Sequence, residues 1–149
     1  MTSSDRPSVV HRRVSAPASF AGLKDIFDAC SAFAKEHELP GDVRHDMYLA
    51  IDELVSNVIR HGRRQHGLRP RITLDAMLSD HTLTVLVADD AAPFDPFSQK
   101  VPDLTTPILD RELGGLGIHF VRTLMDDVRY RRQFGRNHVR LRKRWQQSM

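Results

Sequence analysis

Cysteine pairs, long apolar runs and a signal-like N-terminus are absent from this sequence of 149 residues. The single cysteine, Cys30, excludes an internal disulfide and a zinc site made from several cysteines. No stretch approaches the roughly 18 apolar residues of a membrane span, and the segment from Met1 to Pro7 has no apolar core. We therefore expect a soluble, unsecreted, cytoplasmic protein that needs no membrane partner, with residues 1–7 flexible.

The sequence also lacks the common motifs of hydrolases and metalloenzymes. It contains no His-Glu-x-x-His and no Gly-x-Ser-x-Gly, and the pair His61 and His66 is too sparse for a metal site. A glycine-rich stretch at residues 114–117 is not followed by the Lys-Ser/Thr of a P-loop, nor does it follow a strand as a Rossmann fingerprint requires. These absences argue against a metallopeptidase, a serine hydrolase and the two commonest nucleotide-binding folds.

Acidic residues are missing from residues 129–144, which carry eight bases. The rest of the chain holds 14 bases and all 19 acids, so the net charge of +3 divides into an acidic body and a basic end. Bases such as Arg140 and Arg142 alternate there with apolar Val139 and Leu141, as in a sheet with one face in water. We interpret the basic end as a solvent-facing hairpin that can steer an acidic protein partner, not as a nucleic-acid site.

Helical periodicity is the clearest local signal that the sequence contains. Apolar spacing predicts one helix between about Pro17 and Pro40, and a second from Asp42, acting as N-cap, to His61, with Gly62 ending it. Their apolar stripes are Phe20, Leu23, Ile26, Phe27, Cys30, Phe33 and Ala34 in the first helix, and Met47, Ala50, Ile51, Leu54, Val55 and Val58 in the second.

Strand patterns and turn residues predict the rest of the fold. Strands are expected at 8–15, 71–78, 83–88, 128–133 and 138–144, with a turn at 135–137 and a third helix opening at Gly114. Helices come in adjacent pairs rather than alternating with strands. With 40% hydrophobic and 28% charged residues, the chain reads as one domain over residues 1–149, an α+β layered sandwich with a mainly antiparallel sheet.

Three residues on the second helix are candidates for chemistry. Glu53, Asn57 and His61 are four residues apart and share one side of the helix, at the flank of its apolar stripe. A carboxylate and a carboxamide one turn apart suit a general base and a metal ligand on one wall of a cleft. The alternative is an ordinary solvated helix face with a histidine near its C-terminus.

Two further candidate features follow along the chain. Asp89 ends a buried strand, where its carboxylate can accept a hydrogen bond from a ligand amino group, although Asp-Asp-Ala-Ala-Pro is also a plausible turn. Residues 89–114 contain four prolines and no periodicity, and a loop that long suggests a lid. The glycines at 114, 115 and 117 then open a helix whose free N–H groups suit phosphate.

Taken in order, these features resemble the anti-sigma-factor serine/threonine kinases of the Bergerat-fold (GHKL) ATPase superfamily, the histidine-kinase-like ATPases. Residues 50–62 (AIDELVSNVIRHG) are similar to the N-box, 87–96 (VADDAAPFDP) to the adenine box, and 114–128 (GGLGIHFVRTLMDDV) to the second glycine box. The resemblance extends from about Val14 to Arg144.

The resemblance implies a two-layer sandwich with three helices on one face and an ATP lid from about Asp95 to Leu113, where Arg111 is a candidate phosphate contact. It also implies ATP and Mg²⁺ as cofactors and a small anti-anti-sigma protein of the STAS fold as substrate. A sigma factor or other regulator as further partner and a homodimer belong to the same expectation.

Site residues are implied by motif match. Glu53 would take the proton of the attacking hydroxyl, Asn57 would hold Mg²⁺, and Asp89 would bind the adenine amino group. The other candidate nucleotide contacts are Ala91, Phe94, Gly114, Gly115, Leu116, Gly117, Ile118 and Asn137, the last in place of a threonine often found near adenine. Ala91 and Pro93 stand where the adenine box usually has glycine, which places a methyl group near the expected adenine.

Three other functions remain open on the sequence alone. The first is a regulatory binding module that sequesters a sigma factor or a STAS partner with weak or no catalysis. The second is a histidine-kinase catalytic domain, which the lack of a helix pair bearing a phosphorylatable histidine disfavours. The third is nucleic-acid binding through the basic end, which predicts a DNA affinity that falls steeply with salt.

Overall fold

The computed structural model describes residues 8–64, 67–98 and 115–147. In chain order these form the elements β1 (Val10–Pro17), α1 (Phe20–Glu36), α2 (Gly41–His61), β2 (Arg71–Ser79), β3 (Thr82–Asp89), α3 (Gly115–Leu124), β4 (Asp127–Gln133) and β5 (Arg136–Arg144). The expected flexible N-terminus, Gly114, Arg111, His66 and lid residues 99–113 lie outside the described residues. Among the helices within those ranges, none has the length and apolarity needed to cross a bilayer.

The five strands form one sheet in the order β1-β2-β3-β5-β4, and every neighbouring pair is antiparallel. Alternate strand residues face one core, into which all three helices also project their buried side chains. Examples are Leu74, Val87 and Val139 from the sheet with Ile26, Ile51 and Val121 from the helices. The predicted α+β sandwich with helices on one face is therefore confirmed.

The opposite face of the sheet carries much of the basic end. Arg129 and Arg131 are exposed on β4, while Val139 and Leu141 are buried on β5. Asp127 lies within 3.1 Å of Arg140 Nη2 and within 3.4 Å of Arg129 Nε. The predicted alternation of solvent-facing bases with packed apolar residues is confirmed, because successive strand side chains point to opposite faces.

The predicted N-cap of α2 is wrong, whereas its predicted C-terminal boundary is confirmed. The helix begins at Gly41 after an extended Pro40, and Asp42 lies in the first turn instead of capping it, its Oδ1 accepting from the Val43 N–H at 2.9 Å. Gly62 does end the helix, but with φ −67°. Glycine is required at position 62 because an added Cβ would lie 2.5 Å from the carbonyl oxygen of Val58.

The predicted stripe of α1 is one residue too long. Phe20 is the first helical residue, directly after the Ser19 N-cap, and its side chain is 77% exposed. Leu23 and Phe27 pack partly against the core, and the remaining stripe residues are buried. The first residue of the helix therefore lies outside the core.

The loop of the final hairpin begins one residue earlier and ends two residues earlier than the predicted turn at 135–137. Gln133 pairs with Arg136, so the loop consists of Phe134 and Gly135, with φ of 54° and 71°. Two positive φ values are what a two-residue type I′ hairpin requires, and this geometry overrides the poor fit of phenylalanine there. Asn137 is consequently a strand residue opposite Asp89, not part of the turn.

Candidate functional site

A cavity of about 150 Å³ opens between the C-terminal half of α2 and the ends of β3 and β5. Six of the sequence-predicted residues line it together, namely Asn57, His61, Asp89, Ala91, Phe94 and Asn137. The tertiary structure therefore gathers residues from the predicted N-box, the adenine box and the last strand around one space.

Asp89 is the buried carboxylate of this cavity, with 7% of its surface exposed. Its Oδ1 accepts the Ala91 N–H at 3.0 Å and the Asn137 Nδ2–H at 2.9 Å. Burial raises the pKa of Asp89, against the lowering effect of these two bonds. Within the described residues Oδ2 accepts no hydrogen bond, which leaves an acceptor available to a ligand N–H.

Glu53 lies one turn before Asn57, outside the residues that line the cavity. Its Oε2 is buried without a hydrogen-bond partner in the described part of the chain. Burial raises the pKa of Glu53, partly offset by the nearby charge of Arg60. A buried oxygen without a hydrogen-bond partner destabilises the folded state, and such groups occur at functional sites.

Gly117, in the first turn of α3, lies directly against the Glu53 carboxyl group. A Cβ added at Gly117 would overlap the carboxyl carbon and both carboxyl oxygens of Glu53. Only glycine permits this close approach of backbone and side chain. The start of α3, where helices leave N–H groups without intrahelical partners, is thus beside the candidate base.

Asn57 is 8% exposed, and its Oδ1 accepts from Arg60 Nη2 at 2.9 Å. Carboxamide and carboxylate oxygens are the donors that Mg²⁺ prefers, and it often takes only one or two from protein. Asn57 Oδ1 therefore suits this ion. No cluster of three or more His, Cys, Asp or Glu side chains able to hold a metal occurs among residues 8–64, 67–98 and 115–147.

Ile118, another predicted contact, does not line the cavity. Ile118 is 8% exposed and belongs to the hydrophobic core. Gly115 and Leu116 open α3, and Gly114 lies outside the described residues. His61, predicted on the same helix side as Asn57, does line the cavity.

Three polar residues near the site were not predicted from the sequence. The Tyr130 hydroxyl donates to Asn137 Oδ1 at 2.6 Å, and Arg132 Nη1 donates to the Ala91 carbonyl at 2.7 Å. Arg122 donates to the carbonyl of Phe97 and lies 5.3 Å from the centre of its ring. Alternation along β4 places Tyr130 on the packed face, but which atom its hydroxyl meets depends on the β4–β5 register.

Comparison with known families gives the class of this protein. Residues 16–143 match the histidine kinase-like ATPase domain family, and the chain belongs to that family. This agrees with the resemblance of the three boxes and with the architecture of the sheet and helices.

Individual relatives of the chain are named as an anti-sigma factor and as serine or serine/threonine kinases. The chain is 26% identical to an anti-sigma F factor of Clostridium acetobutylicum, over 71% of this chain and 73% of the relative. It is 28% identical to the serine-protein kinase RsbW of Bacillus subtilis, over 85% and 79% of the two chains. With the serine/threonine-protein kinase BtrW of Bordetella bronchiseptica it shares 28% identity over 66% and 69%.

A solved structure shows the same fold. The RsbU and RsbW domains of Rv1364c from Mycobacterium tuberculosis superpose with a TM-score of 0.65 at 17% identity. The match covers 91% of this chain and 32% of that longer one, so the chain spans about a third of its length.

Proposed function

We propose that this chain is an ATP-dependent serine/threonine-protein kinase of the anti-sigma-factor type, acting on a STAS-domain anti-anti-sigma protein in a bacterial partner-switching cascade. The observation that carries the proposal is the cavity that joins Asp89 to Asn57, with Glu53, whose Oε2 is buried, one turn before Asn57 on α2. The names of the relatives support the same assignment. Cytoplasmic location, homodimerisation and a sigma factor as further partner are parts of the proposal.

Each residue has one task in this proposal. Asp89 accepts a hydrogen bond from the amino group of the base through its unpartnered Oδ2. Asn57 and the first turn of α3 hold the metal and phosphate end, while Glu53 takes the proton of the substrate hydroxyl. Bound ATP and Mg²⁺ supply the phosphoryl group and neutralise its charge, so the protein contributes mainly position and electrostatics.

The raised pKa of Glu53 supports its role as base. Burial disfavours the carboxylate, which makes it a stronger proton acceptor than an exposed glutamate. A serine hydroxyl needs this basicity only as its oxygen attacks, and we expect that hydroxyl to be the hydrogen-bond partner of Glu53 Oε2 in the reacting complex.

The test is transfer of labelled phosphate from ATP to a purified STAS partner with Mg²⁺ present. Glu53→Gln is expected to lower the rate about a hundredfold or more. Glu36→Gln, the same change at an exposed residue of α1, is the matched control and should retain the wild-type rate. Equal rates for wild type and Glu53→Gln would refute the assigned base.

A regulatory binding module is the second candidate function. It is favoured by Ala91, which is 4% exposed and lines the cavity where the family pattern has glycine. Tight binding of a STAS protein or sigma factor together with no phosphate transfer by the wild-type chain would support this candidate and exclude the kinase.

A further inference from the structure

We propose that Tyr130 and Asn137 on the β4–β5 hairpin are positioning residues that orient Asp89 and the loop after it toward the amino group of a purine, without touching the base themselves. The inference rests on the proposed nucleotide site, because it assumes that Asp89 reads the base. It changes the role of Asn137 from the base contact that the sequence suggests to a support for Asp89.

The side chain of Asn137 uses all of its hydrogen-bonding capacity within the protein. Its Nδ2 donates to Asp89 Oδ1 at 2.9 Å and to the Ala92 carbonyl at 3.0 Å. Its Oδ1 accepts the Phe94 N–H at 3.1 Å and the Tyr130 hydroxyl at 2.6 Å. A carboxamide has two N–H donors and two acceptor lone pairs, so all four are used within the protein.

Asn137 therefore has no hydrogen bond left for a ligand. It is 4% exposed, and any bond to a base would require it to release a partner that is itself buried or part-buried. Leaving such a group unsatisfied costs more than one new bond returns.

The orientation of the Asn137 carboxamide determines which oxygen of Asp89 remains available to a ligand. The Phe94 backbone N–H can only donate, and the Tyr130 hydroxyl donates to the same atom, so that atom must be the oxygen. Nδ2 is then directed at Asp89 Oδ1. With the Ala91 N–H also on Oδ1, the carboxylate is held so that Oδ2 alone remains for a ligand.

The loop after Asp89, residues 91–94, is held by further hydrogen bonds. Its carbonyls and N–H groups are bound by residues from outside: Arg132 binds the Ala91 carbonyl at 2.7 Å, and the Ala92 N–H donates to the Arg63 carbonyl at 2.7 Å. Together with the bonds from Asn137, these contacts define the shape of residues 91–94. A loop that carries Ala91 and Pro93 instead of glycines is thereby held both by the hairpin and by the backbone that follows α2.

The experiment compares the binding of ATP with that of purine riboside triphosphate, which has hydrogen in place of the 6-amino group. Titration calorimetry with the full chain and Mg²⁺ measures both affinities. Tyr130→Phe should weaken ATP binding by about five- to tenfold and leave the analogue nearly unchanged, because the lost hydrogen bond acts through Asp89. The preference for ATP should shrink by the same factor.

Tyr48→Phe is the matched control, since Tyr48 is the only other tyrosine. Its ring packs edge-on against Phe27, and among the described residues its hydroxyl makes no hydrogen bond. This variant should keep both affinities. Asn137→Asp, which places a carboxylate against Asp89, should reduce the preference for ATP further, and melting curves of all variants report whether they fold.

The outcomes separate the inference from the function on which it rests. If the wild type binds neither nucleotide, the proposed nucleotide site is wrong, and this inference falls with it. If the wild type prefers ATP but Tyr130→Phe keeps that preference, the inference alone is overturned. An equal loss of ATP and analogue binding also overturns it, because that result indicates a general effect on structure.

Discussion

At the Asp89 end of the site, the carboxamide of Asn137 makes four hydrogen bonds, whereas at the Glu53 end a buried carboxyl oxygen makes none with the residues that the structure describes. The first end is completed by the protein, which fixes its shape before any ligand arrives. The second end has a buried acceptor oxygen that a ligand can use. A site divided in this way suits a reaction in which one part of the substrate is recognised and another part is transformed.

The largest expected effect is at the incomplete end. Gly117→Ala places a methyl group on the Glu53 carboxyl group, so either α3 or the carboxylate must move. A displacement of about 1 Å can cost about a hundredfold in rate, and we expect at least that loss of phosphate transfer.

Gly41→Ala is the control for that change. An alanine Cβ there would meet only the Arg44 guanidinium at 4.0 Å, so the rate should remain that of the wild type. A Gly117→Ala variant with full activity would show that the close approach to Glu53 has no part in the reaction.

A smaller effect is expected at the completed end. Asp89→Asn removes the charge and gives the amide a donor where an acceptor is needed, so ATP affinity should fall about ten- to a hundredfold in a calorimetric titration. Asp90→Asn is the matched control, because Asp90 instead accepts the Arg71 N–H at 2.8 Å and does not line the cavity. If both variants bind ATP as the wild type does, Asp89 does not read the base.

The smallest effect concerns stability. Folding raises the pKa of Glu53, so the folded state is penalised when this group is charged. Glu53→Gln should therefore raise the melting temperature slightly at pH 7. The gain should vanish as the pH falls below the ordinary glutamate pKa, where both states are protonated. Melting curves from pH 4 to pH 8 test this, and a gain that grows toward acid would contradict it.

Local patterns were enough for the parts of the site that lie within one element. The spacing of Glu53, Asn57 and His61 on one helix side follows from 3.6 residues per turn, and Asp89 follows from the end of an apolar strand. The hairpin was misplaced because Phe134 is a poor signal for a turn that requires positive φ. Register then decided that Asn137 faces Asp89.

The sequence by itself determined the fold class and the three boxes, because periodicity and box order are properties of neighbouring residues along the chain. Only the tertiary structure decided that Gly117 packs on Glu53, that Tyr130 donates a hydrogen bond to Asn137 and that Asn137 donates one to Asp89. These contacts join residues more than 40 positions apart in two of the three cases, as the separation of 48 between Asp89 and Asn137 illustrates. They depend on strand register and helix packing, which local sequence patterns do not contain.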